Sequence, residues 1–259
     1  MWIALALALG LAFGTSCHNP SANAETSSKS RGGETPSRTQ SAAASQKQPL
    51  KGLSFVFIHH SCGSGFLHEG KMKAKLEALG VRVHDITYGD GWIGDNTNPD
   101  HFPTTFGRHM DEVLGWELAG KNHHDIVAFK SCFPASNISS EGMLAQYKKY
   151  YEQMKPMFEK QPRVLFVAWT APPLVPRATT SENAARMRRF CHWLVNDWAP
   201  QEHNIAVFDC FHVLAGKDDY LRPGYRRNEH DSHPNAAGNR AVADAFTKWL
   251  PRAVDRWRE

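Results

Sequence analysis

The sequence lacks any concentrated block of basic residues. Its 30 Lys and Arg and 26 Asp and Glu give a formal net charge of +4 at pH 7, and both signs are spread along the chain. Proteins that bind nucleic acid usually carry a clustered basic surface instead. After the first 13 residues the chain also lacks an apolar run long enough to cross a bilayer. We therefore expect neither a nucleic-acid partner nor a multi-span membrane protein.

Established metal-binding spacings are absent as well. The chain has 14 His but no His-Glu-x-x-His or Cys-x-x-Cys motif, and these spacings commonly supply metal ligands. The sequence therefore predicts no metal and no cofactor. One alternative stays open, in which four histidines near predicted strand or helix ends form a metal site: His59, His60, His230 and His233.

Cysteine is scarce, with 5 residues in the whole chain. Four of them follow the N-terminal region: Cys62, Cys132, Cys191 and Cys210. This even number permits two disulfides, Cys62 with Cys132 and Cys191 with Cys210, without requiring either. A buried free thiol is an equally ordinary core residue.

Large apolar side chains are missing from a long stretch near the N-terminus. Residues 14–49 contain no Val, Ile, Leu, Met, Phe, Trp or Tyr. Such a stretch cannot bury enough apolar surface to offset its chain entropy. We therefore expect a signal peptide at 1–17, a disordered tether at 18–50 and one folded domain at 51–259.

The apolar run at residues 1–13 has the length of a signal peptide. It ends in small residues before Cys17, and this ending resembles a bacterial lipobox, in which the cysteine becomes lipidated. The pattern predicts an exported protein that is lipid-anchored in the cell envelope through Cys17, or otherwise periplasmic or secreted. The anchor would be its only contact with a membrane.

The rest of the chain shows a regular alternation of strand and helix patterns. Five short apolar runs are typical of buried parallel strands: Leu53–His59, Val81–Ile86, Asp125–Lys130, Arg163–Trp169 and Ile205–Asp209. Apolar residues at helical spacing lie between and after them: Leu67–Leu79 closed by Gly80, Met143–Met154, Ala185–Trp198, and Ala236–Leu250 entered at Pro234. This alternation predicts a three-layer α/β sandwich with right-handed crossovers.

Chemically useful residues follow the predicted strands. In an open parallel sheet, ligands bind beyond the carboxyl ends of the strands. Ser61 follows the first strand and leads through glycine towards a helix, so its own N–H can face a developing oxyanion. Asp231 and His233 lie together before the last helix and supply a base and the acid that orients it. His123 and His124 lie at the opposite edge and are expected at the surface.

Four blocks of the chain resemble those of the SGNH/GDSL hydrolases. They are the Ser61 block, the glycine loop after the second strand, the Asn-containing block after the third, and the late Asp-x-His-Pro-Asn-x-x-Gly segment. The first block begins His-His-Ser, as in a bacterial exported branch of that family. The resemblance implies a flavodoxin-like, SGNH hydrolase-like α/β/α sandwich and a serine ester hydrolase. It assigns Ser61 as nucleophile, His233 as base and Asp231 as the acid that orients His233.

The same resemblance implies an oxyanion hole made of a backbone amide, a loop glycine and an asparagine side chain. We assign these donors to Ser61, Gly94 and Asn137. Glycine and asparagine also occupy turn positions for purely local reasons. Three alternatives therefore remain for the second and third donors: Gly89, Gly91 and Asn96.

One spacing departs from the family pattern. The acid usually stands three residues before the histidine, and this chain has His230 there. Asp231 lies only two residues before His233. That spacing resembles the Asp-x-His motif of the related alginate acetyltransferases.

The sequence thus predicts a serine esterase that needs no cofactor. Polar loops with aromatic residues, at Trp92–Phe106 and after Trp169, suit an acylated carbohydrate or another small ester of the cell envelope. The alternative for Trp92 and Trp169 is that each only caps the sheet, and this alternative is slightly favoured. Arg226 and Arg227 precede the catalytic segment, where they could meet an acidic substrate. Two alternatives stay open: a catalytically silent surface lipoprotein of the same fold that binds a glycan or a partner, and a metal-dependent hydrolase.

Overall fold

One parallel sheet forms the centre of the domain. The computed structural model describes residues 49–90, 97–120 and 122–259, and within them five strands pair in the order β2-β1-β3-β4-β5. The strands are β1 Ser54–Ile58, β2 Arg82–Ile86, β3 Ile126–Lys130, β4 Leu165–Trp169 and β5 Ile205–Phe208. Each strand falls inside one of the predicted ranges, so the predicted strands are confirmed.

Helices connect the strands and cover the sheet. The α-helices are α1 Cys62–Ser64, α2 Met72–Ala78, α3 Phe102–Arg108, α4 Met110–Gly115, α5 Glu141–Glu159, α6 Ser181–Trp193, α7 Cys210–Leu214 and α8 Ala236–Arg258. Two π-helical turns, Gly65–Glu69 and Leu194–Trp198, continue α1 and α6. Among the described helices, none is both long and apolar enough to span a membrane.

Successive strand residues alternate between two apolar cores, which makes the sheet the middle layer of a sandwich. On one face, Phe55 and Phe57 share a core with Phe246 of α8. On the other face, Phe166 shares a core with Phe106 of α3. The predicted three-layer α/β/α architecture with a five-stranded parallel sheet is therefore confirmed.

The helix predicted at Leu67–Leu79 is wrong as a continuous element. The chain instead forms the turn Gly65–Glu69 and then α2. Lys71 separates them with a φ of 60°, which lies in the left-handed region that an α-helix does not contain. Leu79, which was expected on the apolar stripe, is 41% exposed.

The last helix begins at Ala236 and not at Pro234. Its N-cap is Asn235, whose Oδ1 accepts hydrogen bonds from the N–H groups of Ala237 and Gly238 at 2.9 and 3.1 Å. Pro234 therefore precedes the cap. A Cβ at Gly238 would lie 2.9 Å from Pro234 Cβ, so glycine permits the first turn of α8 to pack closely on the segment before it.

His124 lies in the core, contrary to the expectation from the sequence, whereas His123 is exposed. The His124 side chain is fully buried, and its Nε2 lies 2.9 Å from the Trp116 carbonyl oxygen. Because that oxygen can only accept, Nε2 donates. Burial lowers the pKa of His124 to about 4, so its ring is neutral at neutral pH.

We expect His124 to reduce the stability of the protein in acid. Its pKa in the folded chain is about 4, below the ordinary 6.5, so from 6.5 downwards the unfolded chain takes up a proton that the folded chain does not. The free energy of unfolding therefore falls as the pH drops through this window.

The variant His124→Gln tests this dependence, because its amide can still donate to the Trp116 carbonyl but does not titrate. Thermal unfolding followed by circular dichroism should show a smaller loss of melting temperature in His124→Gln than in the wild type between neutral pH and about pH 4.5. If the melting temperatures of the two proteins fell equally with pH, this would contradict the conclusion that His124 is buried and neutral.

Candidate active site

Ser61 stands just beyond β1 in a strained backbone conformation. Its φ is 22° and its ψ is −80°, a region that residues other than glycine rarely adopt. The surrounding turn holds this conformation, because the Gly63 N–H donates to the His60 carbonyl at 2.8 Å and the Gly65 N–H donates to the Ser61 carbonyl at 3.2 Å. The chain thus reverses directly from β1 into α1 at the serine.

His59 supports this turn from the core. Its ring is fully buried, and Nε2 lies 3.2 Å from Asp85 Oδ2. A Cβ at Gly63 would lie 2.3 Å from His59 Cγ, so only glycine lets α1 sit on the ring. Burial lowers the pKa of His59, with the Asp85 hydrogen bond opposing. His59 is therefore a core residue that positions the Ser61 turn.

His233 and Asp231 form a tight pair. The Asp231 Oδ1 accepts from His233 Nδ1 at 2.6 Å and from the His233 backbone N–H at 2.9 Å. With its proton on Nδ1, the ring has Nε2 free to act as a base. Burial opposes ionisation of Asp231, but the two hydrogen bonds from His233 outweigh it and lower the pKa of that carboxyl group. The His233 ring also packs edge-on against Phe133, with centroids 4.8 Å apart.

Neighbouring loops hold the segment with Asp231 and His233 on both sides. The Val175 N–H donates to Ser232 Oγ at 3.1 Å. The Asn235 N–H donates to the Tyr225 carbonyl at 2.8 Å, and Asn235 Nδ2 donates to the Arg226 carbonyl at 3.0 Å. The segment is therefore fixed to the loop after β4 and to the chain before it.

Ser61 and His233 line the same cavity, which has a volume of about 610 Å³. Its other lining residues are Cys62, Ser64, Gly65, His68, Glu69, Thr87, Tyr88, Arg227, Pro234 and Asn239. Ser61 Oγ lies 3.9 Å from Cys132 Sγ. In the described part of the chain, no hydrogen bond joins Ser61 to His233. Catalytic hydrogen bonds of this kind commonly shorten only when substrate is present.

Tyr88 lies beside Ser61, and no sequence motif assigned it a role. It follows β2, and its ring stacks on His60 with centroids 3.8 Å apart. Partial burial and the neighbouring Cys132 thiol raise the pKa of Tyr88, while hydrogen bonding with Ser61 opposes this rise. The phenol is therefore protonated at neutral pH and can donate a hydrogen bond beside Ser61.

Asn137 is held by its carbonyl oxygen. Oδ1 accepts from Thr179 Oγ1 at 2.7 Å and from Asn183 Nδ2 at 2.8 Å, and no described residue accepts a hydrogen bond from Asn137 Nδ2. This orientation leaves an amide donor available, but Asn137 is not among the residues that line the described cavity. Its place in the oxyanion hole stays a prediction.

The predicted glycine donor of the oxyanion hole, Gly94, lies outside the described residues. The alternatives Gly91 and Asn96 also lie outside them. Gly89 is described, and its φ of 84° is a turn conformation that favours glycine. The lipidation site at Cys17 and the whole N-terminal region up to residue 48 also lie outside the described residues.

The four cysteines of the domain are free thiols, so neither optional disulfide is formed. Burial raises the pKa of Cys62 to about 11, which leaves this thiol protonated beside Ser61. Among the described residues, no group of three or more His, Cys, Asp or Glu side chains is arranged to hold a metal ion.

Trp169 does not offer a sugar-binding surface. Its side chain is fully buried and packs on Phe57 and Phe246, with centroids 4.8 and 4.5 Å apart. Of the two interpretations of this tryptophan, the sugar-binding one is wrong and the structural one fits, because the ring belongs to the core of the sandwich. Trp92 lies outside the described residues.

Two further polar residues of the cavity escaped the sequence analysis. Glu69 and Asn239 both line it, and Asn239 donates a hydrogen bond to Glu69. The two residues are 170 positions apart in the chain, so no local pattern could pair them. The sequence offered one sign of this contact, an asparagine directly after Gly238 at a position on the apolar stripe of α8.

Comparisons with known proteins identify the fold. No family model and no curated protein matches the chain. Among solved structures, it is similar to a protein of Streptococcus pneumonia described as a platelet activating factor, with a TM-score of 0.53, 10% identity, and coverage of 76% of this chain and 84% of that one.

Two further solved structures are hydrolases. A GDSL-like lipase from Bacteroides thetaiotaomicron has a TM-score of 0.44 and 12% identity and covers 78% of this chain and 87% of its own. An acetylxylan esterase from Geobacillus stearothermophilus has a TM-score of 0.45 and 14% identity, with coverage of 79% and 94%. At such identities the likeness concerns the fold alone. The chain is an α/β/α sandwich with sheet order β2-β1-β3-β4-β5, and its fold is similar to that of the Streptococcus pneumonia protein.

Proposed function

We propose that this protein is a serine esterase that removes a small O-acyl group from a carbohydrate or a similar small ester. The main support is that one cavity is lined both by Ser61, on a strained turn, and by His233, whose Nδ1 is bound to Asp231. A serine nucleophile needs such a base, oriented by an acid.

In the acylation step, Ser61 Oγ attacks the ester carbonyl carbon while its proton passes to His233 Nε2. The negative charge that develops on the carbonyl oxygen is stabilised by the Ser61 N–H and by further donors, for which Asn137 and Gly94 are the proposed residues. His233 then returns the proton to the alcohol oxygen as the carbon–oxygen bond breaks. The alcohol leaves, and the acyl group remains on Ser61.

In the deacylation step, His233 Nε2 takes a proton from a water molecule that attacks the acyl carbon. The second tetrahedral intermediate collapses, the bond to Ser61 Oγ breaks, and His233 returns the proton to that oxygen. A carboxylic acid leaves, and the enzyme is restored. Throughout the cycle Asp231 stays ionised and stabilises the protonated ring of His233, in keeping with its lowered pKa.

We further propose that the protein acts outside the cytoplasm, lipid-anchored through Cys17 or else periplasmic or secreted. The support is in the sequence, where the apolar run at 1–13 and the small residues before Cys17 resemble a lipoprotein signal. An acylated polysaccharide of the cell envelope would be within reach of an enzyme on such a tether.

Replacing the nucleophile should abolish activity. We expect Ser61→Ala to lose covalent labelling by a fluorophosphonate probe and to lose at least about 1,000-fold in kcat towards p-nitrophenyl acetate. Ser139→Ala, at an exposed serine, is the matched control and should keep both properties. A folded wild-type protein that takes up no probe and hydrolyses no ester would instead favour the silent glycan-binding or partner-binding protein.

Replacing the orienting acid should lower turnover more than binding. We expect Asp231→Asn to reduce kcat by on the order of 100-fold or more, because the amide no longer stabilises the protonated ring or selects its tautomer. KM should change much less. Steady-state kinetics at neutral pH compare this variant with Asp255→Asn, at an exposed site on α8, and equal kcat values for the two variants would remove Asp231 from the mechanism.

A further inference from the structure

We infer that Glu69 and Arg227 form the subsite that holds the alcohol portion of the ester through its free hydroxyl groups. The inference rests on the proposed esterase function and specifies which substrates it accepts. Both residues line the cavity that Ser61 and His233 share. An alcohol group leaving Ser61 would therefore be within the same cavity as this pair.

The two side chains form an ordered ion pair that remains partly open to the cavity. Arg227 Nη2 lies 3.6 Å from Glu69 Oε2, and the side chains keep 48% and 44% of their surface exposed. Such exposed pairs add little to stability. Because both side chains are partly exposed, the guanidinium donors of Arg227 and a carboxylate oxygen of Glu69 are available to a ligand.

A buried residue and one backbone carbonyl hold the pair in place. Asn239, only 1% exposed, donates from Nδ2 to Glu69 Oε2 and, at 3.2 Å, to the Pro234 carbonyl. Arg227 Nε donates to that same carbonyl at 3.2 Å. Since Pro234 directly follows His233, the pair is fixed relative to the catalytic base. This pre-organisation reduces the entropy lost on binding.

Glycine at position 65 makes room for this arrangement. A Cβ on Gly65 would lie 3.0 Å from Asn239 Nδ2, closer than most real contacts of this kind. A side chain at position 65 would therefore press on the Asn239 amide that reaches Glu69. Nucleophile turn, cavity wall and catalytic loop are thus built as one packed unit.

The chemistry of the pair matches a hydroxyl-rich alcohol. The recorded contacts of Glu69 use Oε2, and no described residue bonds to Oε1, which leaves that oxygen to accept a hydroxyl proton. Arg227 can donate to the oxygen of an adjacent hydroxyl. Because the pair is formally neutral, it does not favour the acidic substrate that the two arginines suggested from the sequence. Neighbouring free hydroxyls of a sugar satisfy both side chains.

The test compares three acetate esters. Methyl glucoside monoacetate carries free hydroxyls beside the ester, fully acetylated methyl glucoside has the same ring with its hydroxyls blocked, and p-nitrophenyl acetate has an alcohol without further hydroxyls. The kcat/KM of each ester is measured for the wild type, Glu69→Gln, Arg227→Met and the control Glu77→Gln, which changes an exposed residue of α2.

We expect the ratio of kcat/KM for the monoacetate to that for p-nitrophenyl acetate to fall about tenfold in Glu69→Gln and Arg227→Met, mainly through KM. Glu69→Gln removes the charge from the acceptor, and Arg227→Met removes the charged donors. The ratio for the fully acetylated ring should change little, and Glu77→Gln should match the wild type. Methyl glucoside should inhibit p-nitrophenyl acetate hydrolysis by the wild type more strongly than by either cavity variant.

The outcomes separate the subsite from the esterase function. If Ser61→Ala abolishes hydrolysis but the ratios of both cavity variants equal that of the wild type, the subsite is refuted and the esterase stands. If Ser61→Ala retains hydrolysis, the esterase mechanism itself fails. Circular dichroism checks that each variant is folded, and Arg227→Met decides the outcome if Glu69→Gln unfolds.

Discussion

The shared direction of the five strands is the constraint on which the site depends. Because the strands are parallel, their carboxyl ends meet along one edge, and both faces of the sheet are already covered by helices. The loops after β1, β2 and β3 therefore converge there, with Ser61, Tyr88 and Cys132 as near neighbours. No single loop builds this site. It results from three adjacent strand ends and from the segment that enters α8.

The sequence was most informative where burial is strongest. Strands β1, β3, β4 and β5 are short, nearly uninterrupted apolar runs, since both of their faces are covered. The edge strand β2 is more polar and partly exposed. The helices α5 and α8 showed regular apolar stripes because each buries one face and exposes the other. Asp231 and His233 were predictable as a pair because they are local, and their hydrogen bonds are made within three residues.

Features that depend on distant contacts could not be predicted. Trp169 was compatible with either a binding-site or a structural role, and only its packing on Phe57 and Phe246 places it in the core. His124 is buried by Trp116 and its surroundings, which no local pattern reveals. The predicted helix over Leu67–Leu79 breaks at Lys71, where the chain turns through a positive φ. Asn239 and Glu69 are in contact although they are 170 positions apart in the sequence.

The backbone conformation at Ser61 restricts which side chains can occupy this position. A β-branched side chain is strongly disfavoured at a positive φ, so threonine, whose hydroxyl has similar reactivity, does not suit the φ of 22° observed there. Cysteine has no branch at Cβ and meets the backbone requirement as well as serine does. Among substitutions of Ser61 that keep a nucleophilic side chain, cysteine therefore suits this backbone better than threonine does.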